Sequence, residues 1–106
     1  MPGYLLIESR DPFDSKGFSQ RCELALILKS EDAEVSVFLL ENAVLGARAT
    51  AKLAGLDKLA KAGVRLFADE FALRERGVTE LAPNIHAAGL ETLIGELAAG
   101  AKALWN

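Results

Sequence analysis

Two adjacent acids, Asp69 and Glu70, stand inside "LFADEFALRERGV" (Leu66 to Val78), where an apolar run ends and a helical pattern begins. Carboxylates at such a junction can act as general acid or base, ligate Mg²⁺, or cap the helix by accepting its free N–H groups. Polar residues also follow two other apolar runs: "ESRDPFDS" supplies Glu8, Arg10 and Asp11, and "ENAV" supplies Glu41 and Asn42. In a parallel sheet these segments share one edge, so the seven residues would rim a shallow acidic crevice, offset by Arg10 and Arg48.

Other chemistry finds little support. Neither G-x-G-x-x-G nor G-x-x-x-x-G-K-[ST] occurs, and an acidic rim repels phosphate, so no nucleotide, flavin or other cofactor is expected. A phospho-accepting receiver site needs a Lys at the carboxyl end of the last strand, whereas Lys102 opens that strand. Cys22 lies on an apolar helical stripe, which suits a buried inert thiol. His86, between Ile85 and Ala87, has no Cys at metal spacing and reads as a structural imidazole; no metal site is expected. The "RER" of Arg74 to Arg76 reads as a solvated helix end.

The simpler reading of Asp69 is a helix N-cap, with Glu70 in the first turn favoured by the helix dipole and paired with Arg74 four residues on. In "DPFDS", Asp11 and Pro12 turn the chain out of a strand, and Asp14 or Ser15 can start the next helix.

Composition sets the outer bounds. The 106 residues suit one domain, 1–106, with a single core. A net charge of -3 provides no electrostatic footprint for nucleic acid or anionic membrane, and neither partner is expected. With one cysteine there is no internal disulfide, no secretory leader pattern opens the chain, and a cytoplasmic location is the expectation. Mean hydropathy of +0.20 is high for a small monomer, which points to apolar surface covered by another subunit.

The elements that must position these residues alternate. "YLLIE" (Tyr4 to Glu8), "VSVFLLE" (Val35 to Glu41) and "VRLFAD" (Val64 to Asp69) read as strands buried on both faces. "FSQRCELALILK" places Phe18, Cys22, Ala25, Leu26 and Lys29 at helical spacing, with Leu24, Ile27 and Leu28 widening the arc, so burial on more than one side is expected. "AVLGARATAKLAGLDKLAKAG" is a helix that Gly46 and Gly55 divide, with Gly63 at its left-handed stop. "EFALRERG" makes a third helix, "NIHA" a brief strand, "LETLIGELAAG" a fourth helix and "AKALW" a final edge strand. The alternation predicts an α/β, flavodoxin-like three-layer sandwich: about five mostly parallel strands with helices on both faces. In the flavodoxin strand order, the first and third strands adjoin at the ligand crevice.

"LLIESRDPF", "VSVFLLENAV", "AGVRLFADEFALRERGV" and "GELAAGAKALWN" together resemble the DsrE/DsrF/DsrH superfamily, which includes the TusB, TusC and TusD sulfur-relay subunits. The likeness covers nearly the whole chain. It implies a small flavodoxin-like domain that assembles into multimers, a homo-oligomer such as a trimer or hexamer. Some members pass persulfide sulfur between cysteines, so sulfur-relay proteins are the implied partners. In sulfur-carrying members the reactive cysteine opens the helix after the third strand, shortly before an Arg-Gly ending. Here "ADEFALRERG" offers Asp69 at that position, and Asp cannot carry a persulfide.

Two functions of different class follow. The resemblance implies a non-catalytic interaction subunit accessory to intracellular sulfur transfer, lacking the persulfide cysteine. The alternative is a small-ligand binder or enzyme using the acidic crevice around Asp69, with Asp69 or Glu70 as acid/base or Mg²⁺ ligand.

Overall fold

The apolar runs become the strands Gly3–Glu8 (β1), Glu34–Leu39 (β2) and Arg65–Asp69 (β3), joined by the shorter Ile85–Ala88 (β4) and Lys102–Trp105 (β5). The computed structural model describes residues 3–106; Met1 and Pro2, the start of the domain expected over 1–106, lie outside the described residues. Every pairing is parallel, in the order β4-β3-β2-β1-β5. β1 therefore sits between β2 and β5, and β2 separates it from β3. This corrects the neighbour relation on which the expected crevice depended. The first three crossovers each step one strand in the same direction, and only the last returns past β1.

The connections are helical: Phe18–Ser30 (α1), a 3₁₀ helix Glu41–Ala47, Ala54–Lys61 (α2), Glu70–Glu75 (α3) and Leu90–Ala98 (α4). Because strand side chains alternate, β1 and β2 bury both faces. Leu6, Val35, Val37 and Leu39 meet α1, the 3₁₀ helix, α2 and α3 on one side. Leu5, Ile7 and Phe38 meet Leu93 of α4 on the other, where the Phe38 and Phe67 rings stack 6.0 Å apart. The expected α/β sandwich, with helices on both faces, is present. α4 is also tied down by charge: Ser36 Oγ donates to Glu96, and Arg65 Nη2 lies 2.9 Å from the same carboxylate.

Local departures from expectation have identifiable causes. Gly63, Gly77 and Gly100 stop their helices at φ of 90°, 64° and 97°, as left-handed terminators should. Gly46 and Gly55, expected to divide a helix, instead lie within helical segments and serve close packing. A Cβ on Gly46 would meet Pro12 Cγ and Leu53 Cδ1 at 2.8 Å each; one on Gly55 would meet Cys22 Sγ at 2.9 Å. The real interruption spans residues 48–53 and includes Lys52 at φ 50°. There the chain pairs with the approach to β4, through Ala49 N–H to Glu80 O (2.9 Å) and Ala82 N–H to Ala47 O (2.8 Å).

α1 starts at Phe18 with Gly17 as its N-cap, later than Asp14 or Ser15, because Asp11 to Asp14 closes a turn of its own. It buries Phe18, Cys22 and Ala25, whereas Ile27 is 59% exposed, so within one chain the helix is covered along a single side.

The Gly55–Cys22 contact gives a direct test of this packing. Gly55→Ala should destabilise by about 1 kcal/mol, because overpacking outweighs the better helix propensity of Ala. In a Cys22→Ala background the same change should become neutral or stabilising. Urea denaturation of the four proteins in this cycle measures the coupling; additive effects would show that the two residues do not crowd each other.

Candidate functional site

β3 ends at Asp69, and the reason is local. Its backbone is extended (φ -63°, ψ 120°), and its carboxylate turns back to accept the Ala72 N–H at 3.1 Å, so the strand's last residue is also the N-cap of α3. Only 8% of Asp69 is exposed. The expected pair between Glu70 and Arg74 is not among the ion pairs of the described residues. Glu70 points to solvent.

An open cavity of about 340 Å³ lies beside this cap, bounded by Leu40, Glu41, Asp69, Phe71, Glu75, Arg76 and Leu90. It brings Glu41 and Asp69 together. Glu41 takes a left-handed turn, φ 48°, as the chain leaves β2. Asn42 is linked to the same region through Arg76, whose Nε donates to Asn42 Oδ1 at 3.1 Å and whose Nη1 donates to Ala72 O at 3.3 Å. Arg74 and Glu75 are exposed, as the solvated helix end expected of "RER" requires, whereas Arg76 is half-buried and engaged. Its position as the first residue beyond a very short helix, one turn after Ala72, is the signal that could have marked it.

Glu8 is not part of this cavity. The order β2-β1-β5, with α1 on one face and α4 on the other, places the switch in crossover direction at the carboxyl ends of β1 and β5. The chain itself fills that place. Glu8, 2% exposed, accepts from Arg21 Nε at 2.8 Å and from Asn106 Nδ2 at 3.1 Å, while Arg21 Nη2 donates to Leu104 O at 2.6 Å. Asn106 O accepts from the Ser9 N–H and from Ser9 Oγ. An enclosed, fully paired carboxylate of this kind organises its surroundings; removing either charged partner would strand the other in low dielectric.

Arg10 is exposed, and Asp11 accepts the Phe13 N–H at 2.9 Å in a turn. Arg48 lies over the Phe13 ring, 5.7 Å from its centroid, away from the acidic cavity. His86 is exposed on the β4 edge, and among the described residues no three His, Cys, Asp or Glu side chains group as a metal site.

Cys22 lies under α2 in a small recess with Leu6, Glu8, Phe18 and Arg21. Burial, and secondarily the Glu8 charge, push its thiol up to about 11. Both causes disfavour the thiolate that nucleophilic sulfur chemistry needs.

With this architecture in view, residues 3–105 match the model of the DsrE/DsrF-like family. The chain belongs to the DsrE/DsrF-like family. Its fold is similar to that of the ychN protein from E. coli, with TM-score 0.90 and 18% identity over 100% of both chains. Two further likenesses in fold are the proteins of unknown function MTH1491 from Methanobacterium thermoautotrophicum and BT1422 from Bacteroides thetaiotaomicron. The first has TM-score 0.79 and 16% identity, covering 99% of this chain and 98% of that one. The second has TM-score 0.79 and 19% identity, covering 98% and 94%. Identities this low speak for a shared fold alone. Comparison with curated protein sequences finds no match.

Two outcomes test the Asp69 cap and the Cys22 recess. Asp69→Ala should cost about 1 kcal/mol by loss of the cap, whereas Asp69→Asn, which still accepts from Ala72, should lose only part of that. Chemical denaturation of both variants separates capping from generic burial.

The second concerns pH. The folded pKa of Cys22 lies above its ordinary value, so the unfolded chain ionises first as pH rises. The contribution of the neutral thiol is whole below about pH 9 and is lost progressively up to about pH 11. Thermal unfolding should therefore fall more steeply across that window for the native chain than for Cys22→Ala. Parallel curves would show that the thiol is not held in its neutral form.

Proposed function

We propose that this DsrE-like protein is a non-catalytic interaction subunit, accessory to sulfur transfer in the cytoplasm and acting as a homo-oligomer. The observation that carries this reading is the occupant of the α3 N-cap. The position that resembles the sulfur-bearing one in carrier members holds Asp69, committed to Ala72 N–H. The chain's one thiol is buried in another part of the fold and biased toward its neutral form. A carboxylate can take over the anionic role of a thiolate at a helix start, but it forms no persulfide.

The α4 face supports the assembly half of the reading. Leu93 is the one residue of α4 that reaches burial, while Leu90, Ile94 and Leu97 are substantially exposed. Phe71 borders Leu90 at the Asp69 cavity, and strand alternation puts Trp105 on the same sheet face as Ala101 and Ala103, which pack on the α4 side. The α4 side thus carries four of the exposed large apolar side chains, Leu90, Ile94, Leu97 and Trp105, which suits an isologous or cyclic contact with further copies, a trimer or hexamer.

Incubation with a low-molecular-weight persulfide donor, followed by intact mass measurement, tests the first half. The native chain should gain no sulfur, and Asp69→Cys in a Cys22→Ala background should gain one. Stoichiometric, reversible loading of Cys22 would overturn the non-carrier reading. Sedimentation equilibrium tests the second: a trimer or hexamer is expected for the native chain and dissociation for Ile94→Asp, whereas a native monomer would remove the subunit role of this face.

A further inference from the structure

A second open cavity, also of about 340 Å³, lies between the end of the 3₁₀ helix and the segment that follows α3. Its walls include Arg48, Thr50, Arg76, Thr79 and Glu80. Two arginines and two threonines thus share its wall, in a chain whose net charge is -3, and Arg76 separates it from the acidic Asp69 cavity that it also borders.

Both arginines are held before any ligand arrives. Arg48 rests on the Phe13 ring and spends its Nε–H on Leu45 O at 2.8 Å. Arg76 spends Nε–H on Asn42 and one Nη1–H on Ala72 O. Anchoring a guanidinium through Nε reduces the side-chain entropy lost on binding and leaves its Nη groups to face an acceptor. Among the described residues, Arg48 has no carboxylate within ion-pair distance and Arg76 Nη2 has no hydrogen-bond partner.

Each arginine also satisfies a carbonyl near a helix end, which is a structural role. That role accounts for the bonds to Leu45 and Ala72. It leaves unexplained why two arginines with N–H donors to spare line one concavity together with two threonines. The opposing charges are Glu80 in the wall and Glu75, 3.7 Å from Arg76 Nη1. Glu75 and Glu80 are exposed and their charges are screened, whereas Arg48 and Arg76 are half-buried residues whose attraction for an anion is screened less.

We propose that this cavity binds a tetrahedral oxyanion of the phosphate and sulfate class, either as the free ion or as the terminal group of a small phosphomonoester. Guanidinium forks match the oxygen spacing of such groups, and Thr50 and Thr79 hydroxyls can donate to the remaining oxygens. The site adjoins the Asp69 cavity through Arg76, which lines both, but it is defined by Arg48, Thr50 and Thr79 on its own side, and its occupancy does not depend on the sulfur-relay reading.

Backbone amide NMR of the full chain, titrated separately with inorganic phosphate, sulfate and glycerol phosphate at constant ionic strength, tests the assignment. Saturable shifts confined to residues 48–50 and 76–80 are expected. Arg48→Gln should weaken binding about tenfold, the effect of losing one charge-assisted contact, while Lys61→Gln on the exposed face of α2 should leave it unchanged. Arg76→Gln should weaken it similarly; if that variant fails to fold, Arg48→Gln and Thr79→Val carry the test. Equal response to phosphate and sulfate supports a free ion, and preference for the ester supports a phosphoryl group. Absence of saturation with all three probes, shifts located elsewhere, or binding indifferent to Arg48→Gln overturns the proposal.

Discussion

The handedness of the β-crossover is the constraint from which the rest of this structure follows. A right-handed connection between parallel strands lies on a face set by the direction in which the chain steps across the sheet. Three steps run from β1 to β4 in one direction, and the last returns past β1 to β5. Four helical segments consequently crowd one face and α4 alone covers the other. Burial follows this asymmetry. Leu5, Ile7 and Phe38 are fully enclosed beneath α4, but Phe67 and Leu40 farther across the same face are only partly covered. One amphipathic helix cannot span five strands, and its own apolar arc continues past the sheet through Leu90, Ile94 and Leu97. The apolar excess in the composition is therefore a consequence of topology as much as of core size.

The same constraint explains which features were legible in the sequence. "YLLIE" and "VSVFLLE" announce strands because both faces of each are buried, "VRLFAD" because one face is buried and Phe67 is half-covered on the other, and Gly63, Gly77 and Gly100 announce helix ends because only a residue without Cβ enters that backbone region cheaply. Strand order was not legible, since a run covered on both faces carries the same pattern at any interior position of a sheet. The crevice inherited that ambiguity. With β2 lying between β1 and β3, Glu8 falls to a buried network with Arg21 and Asn106, while Glu41 and Asp69 share a cavity elsewhere along the edge.

Gly46, Gly55 and Arg76 depart from their local pattern for a related reason: local propensity gives the same letter several uses. A glycine breaks a helix when nothing opposes the freedom of its backbone. It permits a helix when a neighbour occupies the space of a Cβ, as Pro12 and Leu53 do at Gly46 and Cys22 does at Gly55. Arg76 looks like surface charge until α3 proves short enough for the guanidinium to fold back onto Ala72 O and reach Asn42. Each decision rests on a partner far away in sequence or on an element's length, neither of which a local window contains.

Asp69 and Cys22 show that sulfur chemistry in this fold would need position and residue type together. A sulfur nucleophile needs N–H donors to stabilise the thiolate and a path for the incoming sulfur. The α3 cap supplies the donor and borders an open cavity, yet its residue is a carboxylate already bonded to Ala72. Cys22 has a sulfur, but its recess supplies the opposite environment: close packing against Gly55, enclosure beneath α2 and the negative charge of Glu8. Moving Glu8 away would not free the thiol, because desolvation is the larger of the two causes holding it neutral. Nor can Glu8 move cheaply, since it balances Arg21 inside the sheet edge. The network that closes the carboxyl ends of β1 and β5 thus adds a secondary push to the desolvation that holds the chain's thiol in its neutral form.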